Sequence, residues 1–296
     1  MATIGFIGLG NMGAPMAANL VKAGSNVRGF DLVAALRDAS ARDGVEIVAS
    51  ARSALDDAEV VITMLPGGEQ VLAVWNDIVP AARQGTLFID CSTIDVASAR
   101  KAHALAAERG IATLDAPVSG GVGGAKAATL TFMVGGSAHA FTRGKPVLER
   151  MGKRIVHCGE AGNGQTAKIC NNMILGASMI AVSEAFVLGE KLGLSHQALF
   201  DVASASSGQC WSLTSYCPVP GPVPASPANN DYKAGFTAAL MLKDLKLAKA
   251  AAESVGATAA LGGHAAEIYQ TFAERGDAAK DFSAIINLVR AQSEKR

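Results

Sequence analysis

The stretch Ile4-Gly-Phe-Ile-Gly-Leu-Gly-Asn-Met-Gly-Ala-Pro-Met-Ala-Ala-Asn-Leu20 constrains the fold more than any other part of this chain. Ile4 to Ile7 is an apolar run that reads as a buried strand. Gly8, Gly10 and Gly13 follow in the order G-x-G-x-x-G, and Met16, Ala17, Leu20 and Val21 then recur at helical spacing. Strand, glycine turn and helix in that order form a dinucleotide-binding fingerprint. Gly8 permits the tight turn, Gly10 lets a pyrophosphate approach the backbone, and Gly13 lets the helix pack on the strand. The helix N-terminus beyond Asn11 and Met12 presents free N–H groups and a positive dipole end to phosphate.

A glycine triplet alone is weak in a chain with 32 glycines. Here a second expected strand, ending at Phe30, leads into Asp31, 21 residues past Gly10, where a ribose-binding acid is expected. A carboxylate there accepts hydrogen bonds from ribose hydroxyls and repels a 2′-phosphate. The first arginine after it is Arg37, so the reading is NAD rather than NADP. The alternative for Asp31 is a helix N-cap or turn residue, which Asp also suits.

The length of 296 residues suits two domains or one large one, and with half the residues hydrophobic a large core is easily built. Twenty-six basic and 26 acidic residues cancel, which argues against nucleic acid or an anionic membrane as partner. The five cysteines (Cys91, Cys158, Cys170, Cys210, Cys217) form no C-x-x-C pair and fit packing roles in a reducing, cytoplasmic compartment. The first strand is expected to start at Thr3, so no signal or transit peptide is expected. No run reaches the apolar length of a membrane span; the nearest, around Ile174 to Val182, is interrupted or flanked by Asn171, Asn172, Ser178 and Ser183. The five histidines show no metal spacing, and no metal is expected.

Up to about Cys158, apolar strands alternate with amphipathic segments, which implies a mostly parallel sheet covered on both faces. Three strands run into loops with chemical content: Met64-Leu-Pro-Gly-Gly, Asp90-Cys-Ser-Thr and Asp115-Ala-Pro-Val-Ser-Gly-Gly. Ligands in such folds sit outside the carboxyl ends of the strands. From Gln165 to Leu192 there is no proline, and apolar residues recur at helical spacing. One helix of 28 residues is expected there, about 42 Å long. The remainder reads as helices, interrupted between Cys217 and Asn230 by a segment with five prolines, expected to be an ordered loop. The fold class is therefore α/β: an N-terminal Rossmann-type doubly wound sheet over residues 1–163, a long connecting helix over 164–193, and an all-helical domain over 194–296.

Oxidising an alcohol with a nicotinamide needs a base near the hydroxyl and groups that hold the rest of the substrate. Lys168 and Asn172 are four residues apart, so they share a helical face. A lysine in a cleft shifts its pKa readily and can act as a base. On spacing alone, a surface lysine near a helix start is the plainer reading. Ser119-Gly120-Gly121 offers a hydroxyl and two unencumbered N–H groups, a cradle suited to a carboxylate, or else a simple glycine turn. Lys243-Asp244, with Lys246 and Lys249, reads by itself as a solvated charged face.

Four blocks, in order and spanning the chain, resemble the β-hydroxyacid dehydrogenase family, and within it the branch that acts on 3-hydroxyisobutyrate. They are Gly5-Phe-Ile-Gly-Leu-Gly-Asn-Met-Gly, Asp115-Ala-Pro-Val-Ser-Gly-Gly, Gly164-Gln-Thr-Ala-Lys-Ile-Cys-Asn-Asn and Lys243-Asp-Leu-Lys-Leu-Ala. The resemblance implies that Lys168 is the catalytic lysine and Asn172 its substrate-orienting partner. It makes Ser119, Gly120 and Gly121 the carboxylate site, and Leu65, Pro66 and Thr93 further cofactor contacts. Lys243 would reach both nicotinamide and substrate. The implied reaction is NAD-dependent oxidation of 3-hydroxyisobutyrate to methylmalonate semialdehyde, by a homodimer or homotetramer in which residues 194–296 serve substrate and dimerisation. The segment from Ser206 through the proline-rich loop carries the assignment to the branch, and a stiff apolar loop is expected to favour a methyl group over a second hydroxyl. Alternatives are the same chemistry on serine, 3-hydroxypropionate or tartronate semialdehyde, or a catalytically silent dinucleotide-binding module. The family often has Gly-Thr-Leu where this chain has Ala128-Thr-Leu.

Overall fold

The computed structural model describes residues 2–294; residues 1, 295 and 296, at the ends of the expected domains, lie outside the described residues. The chain divides into two compact units, residues 1–168 and 169–296. The strands are β1 Thr3–Ile7, β2 Asn26–Phe30, β3 Glu46–Ile47, β4 Val60–Thr63, β5 Leu87–Asp90, β6 Ala112–Asp115, β7 Val118–Ser119, β8 Leu130–Gly135 and β9 Gly152–Gly159. Helices α1 Gly13–Lys22, α2 Ala34–Arg42, α3 Gly68–Ile78, α4 Val96–Ala107, α5 Gly121–Lys126 and α6 Ala138–Leu148 lie among them. Helix α7, Asn163–Lys191, leads into the second unit, with α8 His196–Ser204, α9 Trp211–Thr214, α10 Ala238–Ser254, α11 Ala260–Phe272 and α12 Ile285–Glu294.

Strand order is β3-β2-β1-β4-β5-β6-β8-β7, with β9 also paired to β8. The ladders from β3 to β6 are all parallel, β8 runs antiparallel to β6 and β7, and β9 is parallel to β8. Alternation along each strand explains two buried faces. Ile4, Phe6, Ile62, Ile89 and Leu114 join one apolar cluster, whereas Ile7, Val61 and Phe88 join another with Trp75 and Ile94. A sheet apolar on both faces must be covered on both. The chain turns to one side of β1 for β2 and β3 and to the other for β4, a switch point at whose carboxyl ends ligands bind. The glycine turn sits there. Gly8 has φ 97°, and a Cβ on it would run into the Met64 carbonyl; one on Gly13 would collide with the Gly8 carbonyl.

Helix α7 corrects the reading that no segment has the apolar length of a span. It is 29 residues long and includes an 18-residue stretch with a mean hydropathy of 1.5, enough by length and composition to cross a membrane. Asn172, Ser178 and Ser183 do not break it because α7 is a packing helix. Met179 and Ile180 enter one core with Met241, Leu245, Tyr269 and Phe282, and Phe186 and Val187 enter another with Leu213 and Ile286. The proline-rich segment is ordered by its own hydrogen bonds. Ser226 Oγ donates to the Cys217 carbonyl at 2.5 Å, and Tyr232 OH to that of Pro218 at 2.8 Å. It contains one short helical turn, Pro227–Asn229, which the proline count had argued against; Pro227 stands at the start of that turn, where its missing N–H is harmless.

Ala128 occupies the left-handed region (φ 54°) just past α5, where Thr129 N–H donates to the Gly124 carbonyl at 2.9 Å. That is a helix-ending geometry which glycine suits. Alanine there carries strain of about 1–2 kcal/mol, and glycine loses about 0.5–1 kcal/mol in chain entropy. Ala128→Gly should therefore raise stability by about 0.5–1 kcal/mol, read as a higher urea midpoint at unchanged slope. A lower midpoint would contradict the strain.

Candidate active site

The expected cofactor face is built by strand ends. Asp31 follows β2 directly. Its Oδ2 accepts from Leu9 N–H at 2.7 Å and its Oδ1 from Val33 N–H at 2.8 Å, so the carboxylate is held against the glycine turn. It does not cap α2, whose N-cap is Val33. Arg37 turns its Nη1 to the carbonyls of Asp31 and Leu32, at 2.6 and 3.1 Å, and lies over the Phe30 ring. A Cβ on Gly10 would meet nothing within 4 Å, and the first turn of α1 carries no acid. An open backbone approach, an acid-free helix N-terminus and a fixed carboxylate beyond β2 fit a dinucleotide.

Beyond β4 and β5, one buried carboxylate organises the loops. Asp90 Oδ1 accepts from Thr63 Oγ1 at 2.8 Å and from Ser92 Oγ at 2.6 Å. Thr63 Oγ1 accepts from Trp75 Nε1 at 3.2 Å, and Ser92 Oγ accepts from Leu65 N–H at 2.8 Å. Leu65 and Thr93, both expected cofactor contacts, thus lie on loops tied to one group. Asp90 Oδ2 has no hydrogen-bond partner among the described residues. Burial pushes the Asp90 carboxyl up to about 6, against the bonds from Ser92 and Thr63 that lower it, and the nearby Asp115 adds to the rise.

Asp115, opposite Asp90 in the β5–β6 ladder, holds the start of α7. Its Oδ1 accepts from Gly162 N–H at 2.8 Å and its Oδ2 from Gln165 N–H at 2.9 Å. His103 bridges Asp115 Oδ1 and Thr113 Oγ1 at 2.9 and 2.6 Å. A carboxylate at a helix N-terminus satisfies orphan donors and complements the dipole. Lys168 lies on the helix that this carboxylate caps and is only 6% exposed, which corrects the surface-lysine reading.

The other expected residues fall into local groups. Ser119 ends β7, and Gly120 and Gly121, both with positive φ (133° and 59°), lead into α5. In the second unit Asn172 is buried. Its Nδ2 donates to Asp244 Oδ2 at 2.5 Å, and its Oδ1 accepts from Asn171 Nδ2 at 2.9 Å. Asp244 is buried and Lys243 half-buried, whereas Lys246 and Lys249 are exposed. The solvated-face reading therefore holds only for the latter two. Sequence reasoning passed over Asp90, Asp115, Gln165 and His103 as functional groups. The available signal was an aspartate ending each of two adjacent buried strands.

Comparison with known proteins places this geometry in a class. Residues 3–159 match the family model described as the NAD binding domain of 6-phosphogluconate dehydrogenase. Residues 162–289 match the model described as NAD-binding of NADP-dependent 3-hydroxyisobutyrate dehydrogenase. A probable 3-hydroxyisobutyrate dehydrogenase of Mycobacterium tuberculosis is 58% identical over 99% of this chain and 100% of its own length. An NAD-dependent L-serine dehydrogenase of Pseudomonas aeruginosa is 46% identical over 97% of this chain and 98% of its own. A solved structure described as Mycobacterium tuberculosis 3-hydroxyisobutyrate dehydrogenase with L-serine superposes with a TM-score of 0.95 at 58% identity, covering 98% of this chain and 100% of that one. The fold and the nucleotide face define an NAD-binding oxidoreductase. The chain belongs to the β-hydroxyacid dehydrogenase family, alongside the 3-hydroxyisobutyrate dehydrogenases.

Asp90 yields a pH test. A carboxyl whose folded pKa is raised favours the neutral form. Its contribution to stability is full below the unfolded value of 3.8 and is lost as pH rises through about 6. Asp90→Asn lacks that loss. Relative to the parent, its unfolding free energy should gain about 2–3 kcal/mol between roughly pH 4 and pH 7. Parallel stability–pH curves for the two proteins would contradict the buried, partly unpartnered carboxyl.

Proposed function

We propose that this protein oxidises the primary alcohol of 3-hydroxyisobutyrate to methylmalonate semialdehyde with NAD, a step of valine degradation. The observation that carries the reading is the burial of Lys168 on a helix capped by Asp115 at the nucleotide-binding strand ends. The names of the relatives support the substrate. Gly8, Gly10, Asn11, Met12 and Gly13 hold the pyrophosphate, Asp31 the adenosine ribose, and Leu65, Pro66 and Thr93 the remainder of the dinucleotide. Bound NAD supplies the hydride acceptor. Ser119 and the N–H groups of Gly120 and Gly121 take the substrate carboxylate. Asn172, its amide oriented by Asp244 and Asn171, and Lys243 position the reacting end. Lys168 Nζ, as the neutral amine, accepts the hydroxyl proton as the carbonyl forms, and returns it in the reverse direction.

In the same reading, residues 1–163 bind the dinucleotide, 164–193 connect, and 194–296 serve substrate and assembly. A homodimer or homotetramer is supported by α7 and the residue just after it, where Ile174, Ala181, Ala185, Leu188 and then Leu192 form an exposed apolar stripe, with Ile174, Leu188 and Leu192 at 66, 60 and 77% exposure. Five free cysteines support a reducing, cytoplasmic location, and the balance of 26 basic and 26 acidic residues argues against nucleic acid or an anionic membrane as partner. A second reading, L-serine as the main substrate, is favoured by the Pseudomonas relative's name and by the L-serine named with the solved relative. A silent binding module would have no need of both Lys168 and Asn172.

Lys168→Ala removes the proton acceptor and should lower turnover at least about 10²-fold at saturating NAD, with dinucleotide affinity nearly intact. Near-normal turnover would refute the lysine's role. Asp31 should make kcat/KM with NAD exceed that with NADP, and Asp31→Ala should narrow the gap mainly through cofactor affinity. Equal use of both cofactors by the unaltered enzyme would refute that assignment.

A further inference from the structure

Gln165 is fully buried and lies three residues before Lys168 on α7, so the two are neighbours on the helix surface. Its backbone N–H is fixed by Asp115 Oδ2 at 2.9 Å. Its side-chain amide crosses to the turn after β5. There Oε1 accepts from Ile94 N–H at 3.1 Å and Nε2 donates to the Ser92 carbonyl at 2.7 Å. Thr93 lies between those two backbone groups. The hydroxyl of the same Ser92 accepts from Leu65 N–H at 2.8 Å. A continuous set of bonds therefore runs from Leu65 through Ser92 and Gln165 to the first turn of α7, all of it within the first unit.

We propose that Gln165 is a positioning residue that sets the place of Lys168 relative to the Leu65–Pro66 and Thr93 loops. The proposal rests on the functional reading given above, in which those loops hold the cofactor and Lys168 takes the proton. The chemistry of the side chain makes the match specific. One donor and one acceptor at the end of a three-carbon reach are needed, because the turn presents one backbone acceptor and one backbone donor about Thr93. A carboxylate in that place keeps the acceptor but sets a negative charge against the Ser92 carbonyl, and a thioether satisfies neither group. Buried backbone groups left unpaired reorganise to find partners, and the turn is then free to move against the helix. A base displaced by about 1 Å from its productive place costs on the order of 10²-fold in rate.

The test uses the full-length enzyme with Gln165→Met, which matches the length without the amide, and Gln165→Glu, which keeps only the acceptor. Measurements are thermal midpoint, Kd for NAD, kcat, and the primary deuterium isotope effect on kcat with substrate deuterated at the carbinol carbon. The expected result is folded protein with NAD affinity close to the parent, kcat lowered about 10- to 10²-fold, and a larger isotope effect as hydride transfer limits turnover. In Gln165→Glu, kcat relative to the parent should recover as pH falls, since the protonated carboxyl again donates to the Ser92 carbonyl. Parent-like kcat and isotope effect in either folded variant would overturn the proposal. So would a loss of kcat matched by the loss of folded protein with the isotope effect unchanged, which marks a structural role. If Gln165→Met does not fold, Gln165→Glu and its pH response decide alone. Lys168→Ala run in parallel separates the two levels. An active Lys168→Ala enzyme overturns the functional reading itself, whereas an inactive one beside normal Gln165 variants overturns only the positioning role.

Discussion

The Asp115 carboxylate at the head of α7 is the interaction on which the site depends. It joins the end of a buried strand to the first turn of the helix that carries Lys168. A strand end in a covered parallel sheet is among the most rigid points of such a fold, since ladder bonds and two apolar faces both fix it. The helix start inherits that rigidity through two hydrogen bonds from backbone N–H groups, while His103 on α4 braces the same carboxylate through its side chain. A flexible lysine stem is thereby given a fixed root. The adjacent Asp90 does the same for the loops after β4 and β5 through Thr63 and Ser92. Two carboxylates side by side in the ladder thus serve different elements. Asp115 has backbone donors on both oxygens, whereas Asp90 has all its partners on one, and burial raises it accordingly.

Much of this was legible in the sequence, for identifiable reasons. The glycine turn, the parallel strands and α7 were readable because each repeats a period over many residues, and Gly8 and Gly13 stand where a Cβ is sterically excluded. The two-residue strands β3 and β7 and the six-residue α5 were not, because no period can establish itself over so few positions. The antiparallel entry of β8 is a matter of chain return, which local pattern does not encode. Helix α7 was recognised as a helix while its hydropathy was understated, because small polar residues such as Ser178 and Ser183 read as breaks but bond within their own helix.

The site was legible unevenly. Lys168 and Asn172 stood out by spacing, but spacing alone favoured a surface role for the lysine; burial reversed that weighing. Asp90 and Asp115 could be noticed only as aspartates ending two buried strands, and Gln165 gave no signal of its own, because their roles lie in partners 27 to 73 residues distant in the chain. Hydrogen bonds of that kind are tertiary facts. The family resemblance supplied roles for residues in the matched blocks, and the geometry adds the groups that hold those residues in place.

The substrate assignment carries the central claim, and steady-state kcat/KM with NAD for 3-hydroxyisobutyrate, 3-hydroxypropionate and L-serine tests it most directly. A methyl group in an apolar pocket is worth about 1–3 kcal/mol of discrimination, and the ammonium of serine would need desolvation in the same place. The account predicts that 3-hydroxyisobutyrate leads, 3-hydroxypropionate follows as a slower substrate, and serine comes last. Serine in first place, or no reduction of NAD with any of the three, would contradict it.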